Sequence, residues 1–319
     1  MKKAVLVFAA LSTLVSSQAF AMCGCFMPPR PPPSMHVADS RITNKSSKVV
    51  IVHDGDRTVV TMANDFQGDA KQFAIVVPVP STITRDQIHV GDKEMIETLA
   101  QSTAPQLLEY PGIDPCGGPM VAMGRAGAPS AKEDALSTRG GGGGNAHALA
   151  VKVEGSWTVG EYDIQILAAE DSDDLVTWLK NHDYAIPDGA GPVFNSYLRQ
   201  NMRFFLAKVN LKEQAKSGYT YLRPLQIAYE SPKFMLPIRL GMLNADGEQE
   251  LSVWTVTKKG RVESTNYRTV KMPASSGMLP EYVKNDFESV YRASFRNLER
   301  REGNDVVFVE YAGNPQAVG

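Results

Sequence analysis

The order of apolar and polar positions along the chain predicts many β-strands and a few helices. A β-branched run at 49–52, the turn residues Asp54-Gly55-Asp56 and a second run at 58–62 predict a β-hairpin. Further strands are expected at 73–79, 162–168, 203–209, 219–229, 234–243, 250–257 and 306–311. Two prolines close the 73–79 run, which favours an edge strand or the end of a strand.

Apolar residues at helical spacing predict three or four helices. They are expected at 95–100, 170–179, 192–198 and 280–301. Pro105 ends the first helix, and the acidic residues that begin the second complement the helix dipole. Strands and helices in this order predict an α+β fold with mixed, mostly antiparallel sheets.

The first 21 residues have the features of an export signal. Lys2 and Lys3 precede the apolar run 4–15, and Ala19-Phe20-Ala21 is a small-residue cleavage site. Cleavage is therefore expected between Ala21 and Met22. The apolar run is shorter than the roughly 20 residues of a membrane span, so no transmembrane segment is expected after cleavage. The mature protein is expected in the periplasm or outside the cell.

Composition favours a folded protein without a nucleic-acid surface. The 319 residues are 43% hydrophobic and 21% charged, with 33 basic and 35 acidic side chains. The chain therefore has no excess of basic residues with which to bind nucleic acid. Residues 111–148 are rich in Gly and Pro, with five successive glycines at 140–144. We expect one domain over 22–319, interrupted by a flexible insertion at 111–148.

The three cysteines are the chemically most distinctive residues of the sequence. Export to an oxidising compartment predicts a disulfide between Cys116 and either Cys23 or Cys25. A second interpretation makes all three metal ligands, because thiolates and the nearby methionines suit copper or zinc. A third is thiol–disulfide exchange at Cys23 and Cys25, because a Cys-x-Cys disulfide closes a small, strained ring.

Familiar catalytic motifs are absent from the sequence. It contains no G-x-S-x-G, no H-E-x-x-H and no Walker A motif, and no cofactor is expected. The leading hypothesis is therefore a non-catalytic envelope protein that binds an unknown envelope protein or ligand, or acts in assembly. Exposed aromatic side chains would support it. The alternatives are a soft-metal or thiol-redox protein, and a hydrolase whose site is assembled by the fold.

Three ordered stretches carry a family resemblance. The first joins Gln67-Gly68-Asp69-Ala70-Lys71-Gln72-Phe73 to Val76-Val77-Pro78-Val79-Pro80 and is followed by Thr103-Ala104-Pro105. The second is Met235-Leu236-Pro237-Ile238-Arg239-Leu240, and the third places Asn266-Tyr267-Arg268 before the long helix and Phe308-Val309-Glu310-Tyr311-Ala312 after it. Together with Cys23-Gly24-Cys25, these stretches span nearly all of 22–312 and resemble the DUF2330 family of uncharacterised exported bacterial proteins. The resemblance implies an exported α+β module with a variable Gly-rich segment, and no reaction.

Overall fold

The structure is a computed structural model that describes ten segments of the chain. These are residues 24–31, 42–43, 46–64, 73–104, 109–110, 150–219, 221–244, 249–272, 279–303 and 306–313. Several predicted features lie outside the described residues: the signal peptide with its cleavage site at Ala21 and Met22, Cys23, Cys116 and the insertion at 111–148. The predictions made for them stay predictions.

The described residues form fourteen strands and five α-helices. The strands are β1 (Cys25–Met27), β2 (Ser46–Asp54), β3 (Arg57–Asn64), β4 (Ala74–Val79), β5 (Ile88–Val90), β6 (Glu109–Tyr110), β7 (Val151–Val159), β8 (Tyr162–Ala169), β9 (Arg203–Val209), β10 (Leu225–Glu230), β11 (Glu250–Thr257), β12 (Arg268–Lys271), β13 (Leu279–Pro280) and β14 (Val306–Val309). The helices are α1 (Lys93–Thr103), α2 (Ser172–Asn181), α3 (Ala190–Leu198), α4 (Leu211–Ser217) and α5 (Phe287–Glu302). Three short 3-10 helices span Arg85–Gln87, Arg239–Asn244 and Glu281–Asp286.

Two five-stranded sheets form the centre of the fold. Sheet I has the order β1-β4-β9-β8-β7 and is antiparallel throughout. Sheet II has the order β11-β2-β3-β10-β5, and only its β11–β2 pair is parallel. Two small parallel pairs, β12–β14 and β13–β6, complete the described strands. The predicted α+β class with mostly antiparallel sheets is confirmed, with α4 as a helix beyond the expected number.

The inner strands of sheet I are buried on both faces because they lie between two apolar cores. Ile75 and Val77 of β4 belong to the core that it shares with sheet II, whereas Ala74 and Val76 face the core that it shares with α2 and α3. This explains why β4 is a continuous apolar run. Strand β1 pairs only with 74–76 of β4, so Pro78 lies past the end of that pairing, as expected for a strand end.

The remaining long helices pack outside these layers. Helix α1 contacts the outer face of sheet II, where Lys48 pairs with Glu97 at 2.7 Å and Trp254 Nε1 donates to Thr103 Oγ1 at 2.7 Å. Helix α5 packs on the β12–β14 pair, where the ring of Phe295 in the helix contacts the ring of Phe308 in β14. Among the described residues, no helix has the length and apolar character needed to span a membrane.

The prediction of a strand at 234–243 is wrong. Its second half is the 3-10 helix Arg239–Asn244, and its first half belongs to no sheet. The backbone of Leu236 instead pairs with the side chain of Asn266, which accepts from the nitrogen at 3.0 Å and donates to the oxygen at 2.9 Å. A loop side chain therefore satisfies backbone groups that a strand would pair with its neighbour.

Candidate functional site

Two half-exposed tyrosines and two cations form a compact surface beside the start of β10. The rings of Tyr219 and Tyr221 are 45% and 36% exposed, and their centroids are 5.3 Å apart. The guanidinium of Arg223 lies 5.2 Å from the Tyr219 centroid, and the amine of Lys93 lies 5.1 Å from the Tyr221 centroid. We call these four residues the tyrosine–cation surface. Each ring has a cation within the range of cation–π attraction.

A buried carboxylate fixes the position of Arg223. Glu161 is fully buried, and its Oε2 accepts from Nε and Nη2 of Arg223 at 3.0 and 2.7 Å. Its Oε1 accepts from the backbone nitrogen of Arg223 at 2.7 Å. The hydrogen bonds and charge of Glu161 raise the pKa of the Arg223 guanidinium. Two guanidinium N–H groups donate to one oxygen of Glu161 and the backbone nitrogen donates to the other, so these three bonds hold one guanidinium orientation.

The segment that carries Arg223, just before β10, is held by elements of both sheets. Glu161 follows Gly160 in the tight turn between β7 and β8 of sheet I. The hydroxyl of Tyr162 donates to the backbone oxygen of Arg223 at 2.7 Å. On the other side, the backbone nitrogen of Gly91 donates to the oxygen of Pro224 at 2.6 Å. The residues before β10 are therefore anchored to both sheets, and β10 begins at Leu225, later than the strand predicted from residue 219.

An open depression lies next to Lys93 along α1. Its volume is about 450 Å³. Its lining combines carboxylates, hydroxyls and two apolar side chains: Asp92, Glu94, Met95, Thr98, Leu99 and Ser102. The positions repeat at three- and four-residue intervals, so they share one side of the helix. Lys93 itself does not line the depression, which lies on a neighbouring side of the helix.

The structure describes one of the three cysteines predicted as disulfide or metal residues. Cys25 is a buried free thiol on the side of β1 that faces α2 and α3, and its Sγ donates to the Phe26 oxygen at 3.6 Å. Burial raises the pKa of this thiol. Metal binding and thiol–disulfide exchange both need the thiolate, which this environment disfavours. Within the described segments, no three His, Cys, Asp or Glu side chains are grouped to hold a metal ion.

Comparison with known proteins gives a family for the chain. The sequence model of a family described as an uncharacterized protein conserved in bacteria, DUF2330, matches residues 18–318. The chain belongs to the DUF2330 family. This match confirms the resemblance seen in the sequence. No curated protein matches this DUF2330 chain, and no solved structure does either.

One histidine of this DUF2330 protein contacts a hydroxyl. Nδ1 of His53 lies 2.9 Å from Oγ1 of Thr58, its partner across the β2–β3 hairpin. Thr58 is buried, however, and the His53 ring packs against Phe234. A nucleophile must reach its substrate. The burial of Thr58 therefore makes this contact a cross-strand hydrogen bond that supports the hairpin.

The tyrosine–cation surface was not predicted from the sequence of this DUF2330 protein. The strand predicted at 219–229 includes Tyr219, Tyr221 and Arg223 as strand residues only. Their alternation was the available signal, because residues two apart share a face of an extended segment. Lys93 and Glu161 are distant in sequence from this segment, so no spacing rule connects them with it.

Proposed function

We propose that this DUF2330 protein is an exported, non-catalytic binding protein of the bacterial envelope, and that it binds through the tyrosine–cation surface. The observation that carries the proposal is the exposure of Tyr219 and Tyr221 beside a guanidinium fixed by Glu161. Tyrosines combine a large apolar ring with a polar tip and lose little conformational entropy on binding. An anchored cation next to them gives the surface orientation and specificity.

The experiment compares tyrosines at this surface with tyrosines elsewhere. The full exported protein is incubated with isolated envelopes of a bacterium that encodes it, and the bound fraction is measured by co-sedimentation. The double variant Tyr219→Ala/Tyr221→Ala is expected to bind roughly thirtyfold more weakly, since two aromatic contacts of about 1 kcal/mol each are lost. Its thermal unfolding is measured alongside, to show that the variant is folded.

The matched control is Tyr282→Ala/Tyr311→Ala. These tyrosines are 38% and 47% exposed, like the pair at the proposed site, but neither has a cation over its ring among the described residues. The control is expected to bind as the unmodified protein does. Equal binding by the Tyr219→Ala/Tyr221→Ala variant and the unmodified protein would overturn the proposal. Equal losses in both double variants would also contradict it, since they would show only general surface stickiness.

A further inference from the structure

The tyrosine–cation surface has an order that limits what it can recognise. Along it lie the Arg223 guanidinium, the Tyr219 ring, the Tyr221 ring and the Lys93 amine, with 5.2, 5.3 and 5.1 Å between successive groups. The two rings are inclined by 59° to each other. A ligand that uses the whole surface must therefore offer apolar faces at its centre and negative charge towards its ends.

From this order we infer that the ligand of this surface is an acidic polysaccharide, an inference that rests on the binding function proposed above. The C–H face of a sugar ring packs against a tyrosine ring, and its hydroxyls bond the phenol oxygens. A uronate carboxylate pairs with a guanidinium or an ammonium group. One repeating unit thus carries both kinds of group that the surface requires.

The Arg223 guanidinium is held in an orientation in which it can bind a carboxylate of the ligand. Glu161 occupies Nε and Nη2, and Nη1 has no hydrogen-bond acceptor among the described residues. The side chain is 23% exposed, so part of the cation remains accessible from outside. Because Glu161 already holds the side chain in place, a ligand that binds Nη1 does not have to order it.

The depression along α1 carries the opposite charge. Asp92 and Glu94 line it, and Asp92 already accepts from the backbone nitrogen of Glu94 at 2.9 Å as the helix cap. These carboxylates repel an acidic polymer. The polymer is therefore expected to follow the two tyrosines as far as Lys93 and to avoid the depression along α1.

Other anionic polymers fit less well. A peptide of acidic residues alone, such as poly-glutamate, supplies carboxylates but no ring faces for Tyr219 and Tyr221. A nucleic acid supplies flat bases, but its phosphates lie on the backbone and not on the stacking rings, whereas a uronate carries its carboxylate on the ring itself. The combination of two rings with only two cations favours a polymer with one charge per ring.

Three soluble probes separate ring stacking from charge. Oligogalacturonate has rings and carboxylates, its fully methyl-esterified form has the rings alone, and poly-glutamate has carboxylates alone. Binding to the full exported protein is measured by isothermal titration calorimetry at low ionic strength. Oligogalacturonate is expected to bind at least tenfold more tightly than either other probe, with an affinity that falls as salt is added.

Three variants locate the interaction. Lys93→Met keeps the aliphatic chain beside Tyr221 and removes the charge, so oligogalacturonate should bind roughly three- to tenfold more weakly, with a smaller salt dependence. Lys152→Met, on the exposed far end of β7, is the matched control and should bind as the unmodified protein does. Glu94→Gln should bind equally well or more tightly, because a repulsive charge is removed.

The possible results separate this inference from the proposed function. Equal affinities for the acid and its methyl ester would overturn the charge requirement, and tight binding of poly-glutamate would point to an acidic peptide instead. Weaker binding by Glu94→Gln would place the ligand in the depression along α1, against the proposed path. If no probe binds while envelope binding still depends on Tyr219 and Tyr221, the ligand class is wrong and the binding function stands. If envelope binding does not depend on them, the binding function itself fails.

Discussion

At the scale of single residues, the thiol of Cys25 is enclosed by the apolar layer between sheet I and helices α2 and α3. This burial raises its pKa above that of an exposed cysteine. In the unfolded chain the thiol loses its proton near pH 8.5. At higher pH the native state therefore binds one more proton than the unfolded state does, and the free energy of unfolding falls with pH.

We expect Cys25→Ala to remove part of this alkaline sensitivity. Between pH 8 and pH 10, the unmodified protein should lose about 1.4 kcal/mol more per pH unit above 8.5 than the variant does. Urea unfolding at a series of pH values measures the difference. Tyr162, whose pKa burial also raises, is present in both proteins, so its contribution cancels. Identical pH profiles would mean that Cys25 has no free thiol, as in a disulfide with Cys116.

The residues of the tyrosine–cation surface differ in how far the sequence reveals them. Tyr219, Tyr221 and Arg223 alternate along one segment, so a period of two places them on a common face. Lys93 joins them only because β5 and α1 lie beside the start of β10. Glu161 joins them through a turn of the other sheet. Contacts between distant segments depend on how the sheets pack, and local spacing carries no information about that packing.

At the scale of elements, the described residues include two tight hairpin turns that begin with a glycine of positive φ. Gly55 connects β2 to β3 with a φ of +63°, and Gly160 connects β7 to β8 with a φ of +57°. Two-residue hairpin loops favour glycine at this position. A β-carbon at Gly55 would meet nothing within 4 Å. One at Gly160 would lie 2.8 Å from Nη2 of Arg223 and 2.8 Å from Cγ1 of Val90.

Gly160→Ala is therefore expected to destabilise the protein more than Gly55→Ala does. The alanine at 55 should cost about 1 to 2 kcal/mol, because only its backbone conformation is unfavourable. At 160 the crowding should add roughly 1 to 3 kcal/mol, since Glu161 holds the Arg223 side chain that would have to move. Chemical denaturation of both variants measures the two costs. Equal costs would show that Arg223 shifts freely and that the site is less rigid than its hydrogen bonds indicate.

The pairing of elements adjacent in sequence could be predicted, and the pairing of elements distant in sequence could not. The β2–β3 hairpin is confirmed because its turn and both strands lie within one short stretch. The 234–243 prediction failed for a definable reason. Phe234, Leu236, Ile238 and Leu240 alternate and are all buried, so their pattern indicates burial correctly. Whether such a stretch joins a sheet depends on its neighbours, here the side chain of Asn266.

At the scale of the whole molecule, both large sheets combine strands from the two sides of residues 111–148. Sheet I takes β1 and β4 from before this stretch and β7, β8 and β9 from after it. Sheet II takes β2, β3 and β5 from before it and β10 and β11 from after it. The parallel β11–β2 pair joins strands about 200 residues apart. No local pattern predicts such a pairing.

This arrangement leads to a prediction about limited proteolysis. The Gly- and Pro-rich sequence predicts that a non-specific protease cuts first between Gly112 and Ala148. Each fragment then lacks strands that pair with its own, and separation would expose the core between the sheets. The nicked protein should therefore elute from native size-exclusion chromatography as one species of unchanged size and separate only in denaturant. Fragments that part under native conditions would show two domains, each with a core of its own.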